Sequence, residues 1–217
     1  MIRGVFFDLD GTLVDSLADI AAAMNRALAQ WGLPGFSVED YRYKVGNGSL
    51  MLSRRCLPED RQGEAEALRQ DYSREYLAAC CVQTRPYEGI VSMLETLRAR
   101  GLKLAVITNK PQEQAEQVMR LLPEALWDGL FGQQSRFPVK PEPDIFRFAA
   151  EQLGLAPEEV LYCGDSDVDI RFAHNAGAKG LGCVWGFRGR EELAAAGADF
   201  LADSPARLAE IAIGQMD

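Results

Sequence analysis

The feature that most constrains the fold is the alternation of short apolar runs with helix-length segments. Residues 2–7 form a β-branched and aromatic run that is typical of a buried strand. Further strands are predicted, each beside a helical pattern, at 102–108, 129–132, 160–164, 180–185 and 199–201. Strands that alternate with helices predict a parallel sheet with helices on both faces, which is an α/β fold.

A block without strand signals interrupts this alternation directly after the first strand. Four helical patterns are predicted in it, at 16–31, from 37, at 48–56 and at 60–81. Ser16 and Asp19 have the spacing of a capping box at the first of these helices. We therefore predict a catalytic core from residues 1–15 and 86–217, and a helical cap from residues 16–85. Hinges are expected near 14–16 and 83–87.

Composition excludes several classes of protein. Acidic residues number 32 against 23 basic ones, so the net charge of −9 disfavours a general nucleic-acid binder. The only histidine is His174, which excludes an H-E-x-x-H zinc site. No apolar run is long enough to cross a membrane, and neither a Walker A loop nor a G-x-S-x-G elbow is present. Five cysteines without a C-x-x-C pair predict reduced thiols and a cytoplasmic location.

Chemically active side chains follow several of the predicted strands. In a parallel sheet, ligands bind at the carboxyl ends of the strands. These ends and the loops beside them carry Asp8, Asp10, Thr108, Lys140, Asp165 and Asp169. Clustered carboxylates repel each other unless a cation joins them, and oxygen ligands favour Mg²⁺. A nearby hydroxyl and ammonium suit a phosphoryl group, and a carboxylate can be its nucleophile. The residues thus predict Mg²⁺-dependent phosphoryl transfer through an aspartate.

Four motifs in this order resemble those of the haloacid dehalogenase superfamily, specifically its phosphatases with a helical cap. The motifs are Asp8-Leu9-Asp10-Gly11-Thr12, Thr108, Lys140 and Gly164-Asp165-Ser166 followed by Asp169. The resemblance covers nearly the whole chain. It implies a Rossmann-like parallel-sheet core with an inserted α-helical cap.

The resemblance also implies roles for the acidic residues. Asp8 would attack phosphorus and bind Mg²⁺ through its other oxygen. Asp10 would protonate the leaving alcohol and then activate water, while its backbone carbonyl binds the metal. Asp165 would bind Mg²⁺ directly, and Asp169 either directly or through water.

Three further residues would hold the phosphoryl group. By the same resemblance, the Thr108 hydroxyl and the backbone amide of Asn109 bind its oxygens. Lys140 would neutralise charge on the phosphoryl group and on Asp8. Lys110, at a predicted helix start, is expected to be exposed to solvent.

Several segments are similar to phosphoglycolate phosphatases, namely the first motif, Val45-Gly46-Asn47-Gly48, Thr108-Asn109-Lys110-Pro111 and Val184-Trp185-Gly186-Phe187. Gly46, Asn47 and Gly48 would then form a cap loop that reaches the site, although an ordinary turn is the alternative. Lys44, Arg54 and Arg55 could hold a substrate carboxylate or simply form a solvated face. The segment 133–137 departs from the pattern of phosphoglycolate phosphatases, which leaves the substrate open.

We therefore predict a phosphomonoester hydrolase that acts on a small phosphorylated metabolite, with 2-phosphoglycolate first. A sugar phosphate, a nucleotide or pyrophosphate are alternative substrates. A phosphosugar mutase is disfavoured because no histidine lies near Ile20, and a catalytically silent binding module is disfavoured by the intact motifs. We expect a monomer or homodimer without nucleic-acid or membrane partners.

Overall fold

The computed structural model describes residues 1–216 as an α/β fold. Its strands are β1 (Gly4–Phe7), β2 (Val14–Asp15), β3 (Arg85–Pro86), β4 (Lys103–Pro111), β5 (Gly129–Gln133), β6 (Val160–Gly164), β7 (Lys179–Cys183) and β8 (Phe200–Ala202). Its α-helices are α1 (Leu17–Gln30), α2 (Val38–Tyr41), α3 (Ser49–Cys56), α4 (Ala65–Ala78), α5 (Ile90–Ala99), α6 (Gln112–Met119), α7 (Asp144–Gln152), α8 (Asp167–Ala176), α9 (Arg190–Ala195) and α10 (Pro205–Ile213).

Six strands form one sheet in the order β5-β4-β1-β6-β7-β8, and every neighbouring pair is parallel. The first strand therefore lies in the interior of the sheet, between β4 and β6. This arrangement brings the carboxyl ends of β1, β4 and β6 to one edge. The predicted parallel sheet with surrounding helices is confirmed.

The two faces of β1 pack against different clusters, because successive side chains of a strand point to opposite sides. Val5 and Phe7 belong to the larger cluster, which continues into the helices that follow β2. Phe6 lies on the other face, where it packs against Phe146 with ring centroids 5.7 Å apart. Burial on both faces explains why this strand is apolar without alternation.

The chain between β2 and β3 holds α1 to α4. Val14 pairs with Pro86 and Asp15 with Arg85 in an antiparallel ribbon, so the two crossing segments run side by side. The sequence did not predict this ribbon, since two residues per strand are too few to show a periodicity. The predicted fourth helix begins later than expected, because Glu59–Glu64 form a 3₁₀ segment before α4.

The helix α1 begins after Ser16, as its start signal predicts, but the hydrogen bonds of a capping box do not form. The Ser16 side chain makes no cap hydrogen bond and instead donates from Oγ to Asp10 Oδ1 at 2.6 Å. Asp19 is buried and accepts hydrogen bonds from the backbone amides of Gln83 and Thr84 and from the Thr84 hydroxyl. Asp19 therefore attaches the first turn of α1 to the chain that returns towards the core.

Within residues 1–216, no helix combines the length and apolar character that crossing a membrane requires. No disulfide joins the five cysteines in this part of the chain. The helix α9, which the sequence analysis did not predict, follows a loop that contacts the site described below.

We predict that Asp19→Ala lowers the free energy of unfolding by about 2–4 kcal/mol, because it leaves buried amide and hydroxyl donors without an acceptor. Urea unfolding of the two proteins measures the difference. Glu95→Ala, on the exposed side of α5, is the matched control and should change stability by less than about 0.5 kcal/mol. Equal stability of D19A and the wild type would contradict this role of Asp19.

Candidate active site

The site begins where β1 ends. Asp8 and Asp10 follow the strand, and Gly11 turns the chain with a φ of +82°. A Cβ on Gly11 would lie 2.4 Å from Asp165 Oδ2, so only glycine allows this turn to approach the next acidic residue. The first motif is thereby packed directly against the end of β6.

A buried lysine joins the carboxylates. Lys140 Nζ lies 3.1 Å from Asp8 Oδ1 and 2.8 Å from Asp169 Oδ1, and its side chain is 1% exposed. It also donates to the Tyr162 hydroxyl at 2.9 Å. Burial disfavours the ammonium, but the charges of Asp169 and Asp8 outweigh burial and raise the pKa of Lys140. The lysine is therefore a permanent positive charge beneath Asp8.

Asp8, Asp165 and Asp169 form a group that fits a metal ion. One carboxylate oxygen from each lies within 4.8 Å of the others. Burial raises the pKa of Asp8 to about 6, and burial together with the charges of Asp169 and Asp8 raises the pKa of Asp165. A bound cation would relieve this repulsion, and an all-oxygen donor set suits a hard divalent ion.

Hydrogen bonds fix the orientation of the carboxylates at the end of β6. Asp165 Oδ2 accepts from the amide of Phe187 at 2.7 Å, and Oδ1 accepts from the Thr12 hydroxyl at 3.3 Å. Asp169 Oδ2 accepts from both the amide and the hydroxyl of Ser166, which completes a capping box at the start of α8. Both oxygens of Asp169 thus have protein partners, since Oδ1 contacts Lys140.

Asp10 has a separate environment, and the expectation for Lys110 is wrong. Lys110 is buried rather than exposed, and its Nζ lies 3.0 Å from both carboxylate oxygens of Asp10. It also sits 4.2 Å from the ring centroid of Tyr76, on α4. Burial disfavours its charge, but Asp10 outweighs burial and raises the pKa of Lys110. With Ser16, Lys110 holds Asp10 from two sides.

The end of β4 supplies the remaining predicted groups. Thr108 is buried, and its hydroxyl accepts a hydrogen bond from the Lys110 amide at 3.3 Å. The Asn109 side chain connects two loops, because Oδ1 accepts from the Lys140 amide at 2.7 Å and Nδ2 donates to the Gly46 carbonyl at 3.0 Å. Asn109 therefore positions the loop that carries Lys140 as well as the loop between α2 and α3.

Most of these residues line one pocket, whereas Lys140 and Asp169 are not among its lining residues. The walls include Asp8, Asp10, Thr108, Asn109, Lys110 and Asp165 from the sheet side and Ile20, Val45, Gly46, Gly48, Leu52 and Tyr72 from the helical segment. Gly46 and Gly48 are thus lining residues, whereas the Asn47 side chain accepts a hydrogen bond from Arg55. Lys44, Arg54 and Arg55 are not among the lining residues.

Comparison with known proteins gives the site its context. The sequence profile of the haloacid dehalogenase-like hydrolases matches residues 2–177. The chain belongs to this family.

Individual proteins are similar to this chain over most of its length. Phosphoglycolate phosphatase of Mannheimia succiniciproducens is 33% identical over 214 residues, which cover 94% of this chain and 96% of the relative. N-acetylmuramic acid 6-phosphate phosphatase of Pseudomonas aeruginosa is 32% identical, with 97% and 94% covered. The crystal structure of a predicted phosphoglycolate phosphatase from Haemophilus somnus superimposes with a TM-score of 0.87 at 32% identity, with 97% of each chain covered. The predicted family and the predicted phosphatase class are confirmed.

The loop after β7 packs closely against Asp165 of this hydrolase site at Gly186. A Cβ on Gly186 would lie 2.2 Å from Asp165 Cβ and 2.4 Å from the Gly11 carbonyl oxygen. We predict that Gly186→Ala displaces the carboxylate, destabilises the fold by about 1–3 kcal/mol and lowers p-nitrophenyl phosphate hydrolysis at least tenfold. Urea unfolding and the activity assay measure both effects.

Gly63→Ala is the control, because a Cβ there meets nothing within 4 Å. Its activity should stay within about twofold of the wild type. A G186A protein with wild-type activity would show that the contact with Asp165 is not needed.

Proposed function

We propose that this hydrolase cleaves a small phosphomonoester, 2-phosphoglycolate first, by Mg²⁺-dependent transfer of the phosphoryl group to Asp8. One observation carries the proposal: Asp8 lies between Lys140 and Asp165 at the base of a pocket. A carboxylate and a dianionic phosphoryl group repel each other. The Lys140 ammonium and a metal ion beside Asp165 would offset that repulsion, so that the Asp8 carboxylate can attack.

The chain's own residues account for both half-reactions. A carboxylate oxygen of Asp8 forms a bond to phosphorus while the bond from phosphorus to the alcohol oxygen breaks, and Asp10 supplies the proton to that oxygen. Asp10 then takes a proton from water, which attacks phosphorus and breaks the bond to Asp8. Inorganic phosphate leaves and the Asp8 carboxylate is regenerated.

Other residues orient and neutralise the phosphoryl group during these steps. The Thr108 hydroxyl and the backbone amide of Asn109 would bind its oxygens, and Lys140 would offset its charge. Asp8, Asp165 and the backbone carbonyl of Asp10 would hold Mg²⁺. When bound, the metal supplies charge neutralisation at the phosphoryl oxygens. Asp169, which Lys140 and Ser166 orient, would act on the metal either directly or through water.

The size of the pocket supports a small substrate. Its cavity volume is about 60 Å³, which is room for roughly four to six water-sized groups. A nucleotide exceeds this volume far more than phosphoglycolate does. We propose that residues 16–85 act as a cap above the core formed by 1–15 and 86–217, and that Gly46 and Gly48 bring its backbone to the substrate.

The names of the relatives support the same choice. The two curated relatives are named for phosphoglycolate and for N-acetylmuramic acid 6-phosphate, and both compounds are phosphomonoesters of a carboxylic acid. We propose 2-phosphoglycolate as the first substrate to test and other phosphorylated carboxylic acids next. A cytoplasmic location is supported by thiols that form no disulfide within residues 1–216, and a monomer or homodimer stays a prediction.

We predict that Asp8→Asn lowers kcat for p-nitrophenyl phosphate and for 2-phosphoglycolate by roughly 10³-fold or more, because an amide cannot form the covalent intermediate. Chelation of the metal should abolish turnover by the wild type, and added Mg²⁺ should restore it. Asp167→Asn is the matched control, since this nearby acid pairs with Arg171 outside the pocket. Turnover that needs no metal or survives D8N would overturn the proposal.

We predict that Lys110→Met lowers kcat by roughly 10- to 100-fold and leaves KM within about threefold, because Lys110 positions Asp10 and does not bind the phosphoryl group. Lys44→Met should leave both constants near the wild-type values, since Lys44 contacts the Arg55 carbonyl away from the pocket. Thermal melting separates this effect from unfolding. A K110M protein that is folded at the assay temperature and retains its kcat would contradict the positioning role.

A further inference from the structure

An arginine that no motif predicted reaches the edge of the pocket. Arg188 follows Phe187, whose amide is held by Asp165, and Gly186, which packs against Gly11. Trp185 also anchors this loop, because its indole nitrogen donates to the Thr12 carbonyl at 3.0 Å. These contacts attach the loop both to the Asp165 carboxylate and to the turn formed by Gly11 and Thr12. Because these contacts restrict the movement of the loop, they hold Arg188 at the edge of the pocket.

The guanidinium of Arg188 has only a loose ion pair among residues 1–216, with Glu192. Its side chain is 11% exposed, and Glu192 Oε1 lies 3.8 Å away, which is beyond hydrogen-bond distance. One of its nitrogens donates to the Val45 carbonyl at 3.1 Å, and the group stacks over Tyr43 at 4.9 Å. Of the five N–H donors of a guanidinium, these contacts leave several free.

The other buried cations of the site are already paired. Lys140 contacts Asp8 and Asp169, and Lys110 contacts both oxygens of Asp10. Neither can neutralise a second anionic group of a substrate without releasing a carboxylate. A largely buried cation is costly unless it is paired. Arg188, whose ion pair with Glu192 is the longest of the three at 3.8 Å, is thus the pocket cation most open to an incoming anion.

We propose that Arg188 binds the carboxylate of the substrate and so selects phosphomonoesters that carry a carboxylic acid. The inference rests on the proposed function and deepens it, since it assigns the end of the substrate that the Asp8 centre does not hold. A guanidinium fork matches a carboxylate with two parallel hydrogen bonds, which a lysine cannot provide. The Val45 contact places this fork beside the loop of Gly46 and Gly48.

The test compares two substrates of the same size, 2-phosphoglycolate and 2-phosphoglycolamide, in which a neutral amide replaces the carboxylate. Arg188→Gln should raise KM for 2-phosphoglycolate by roughly 10- to 100-fold and change KM for the amide less than about threefold. Arg188→Lys should restore only part of the preference. Arg42→Gln is the matched control, because it loses a hydrogen bond to the neighbouring Phe187 carbonyl but does not line the pocket.

Three outcomes would overturn the inference. Wild-type protein without preference for the carboxylate, an R188Q protein that retains the preference, or equal losses on both substrates would each exclude carboxylate recognition. Equal losses would instead identify Arg188 as a contact that only holds the Val45 loop. These results differ from failure of the proposed function, in which the wild type shows no Mg²⁺-dependent turnover of p-nitrophenyl phosphate.

Discussion

The buried ammonium of Lys140 is the interaction on which the rest of the site depends. It joins Asp8 at the end of β1 to Asp169 on α8, and its own backbone is held by Asn109 at the end of β4. Three segments that are far apart in sequence therefore meet around one charge. Removing a single partner from such a buried pair leaves an uncompensated charge, which costs about 3–5 kcal/mol. The order of the strands makes this meeting possible, because β1 lies between β4 and β6.

The acidic residues share a chemical type but not an environment. Asp8 faces Lys140 in a buried position, Asp165 is held by backbone and hydroxyl donors, and Asp10 is held by Lys110 and Ser16. A carboxylate that acts as nucleophile needs an oxygen directed at phosphorus. A carboxylate that acts as general acid and base must give a proton to the leaving group and take one from water. The separate partners give each carboxylate the surroundings that its proposed role requires.

The sequence predicted the sheet and the proximity of Asp8 and Asp165, because both follow from where parallel strands end. Lys140 lies on the loop between β5 and α7 and contacts Asp8 from there. The sequence-based predictions failed for residues whose hydrogen-bond partners lie far away in the chain. Lys110 was expected to be exposed because a lysine at a helix start usually is, and its partner Asp10 lies 100 residues earlier. Asp19 was interpreted as part of a local cap, yet its donors come from the returning chain, 64 and 65 residues later.

The contacts between the helical segment and the sheet side also show why local patterns miss part of the site. Asn109 donates to the carbonyl of Gly46, Arg188 to that of Val45, and Arg42 to that of Phe187. In each of these hydrogen bonds the acceptor is a backbone carbonyl, which every residue type carries. The identity of the acceptor residue therefore gives no sequence signal for the contact. The Asn109 and Arg188 bonds attach the Gly46 loop to the sheet side of the pocket, where a cap would narrow access for water. On the proposed function, substrate size and charge would be selected at this junction, while the chemistry would be set at the strand ends beneath it.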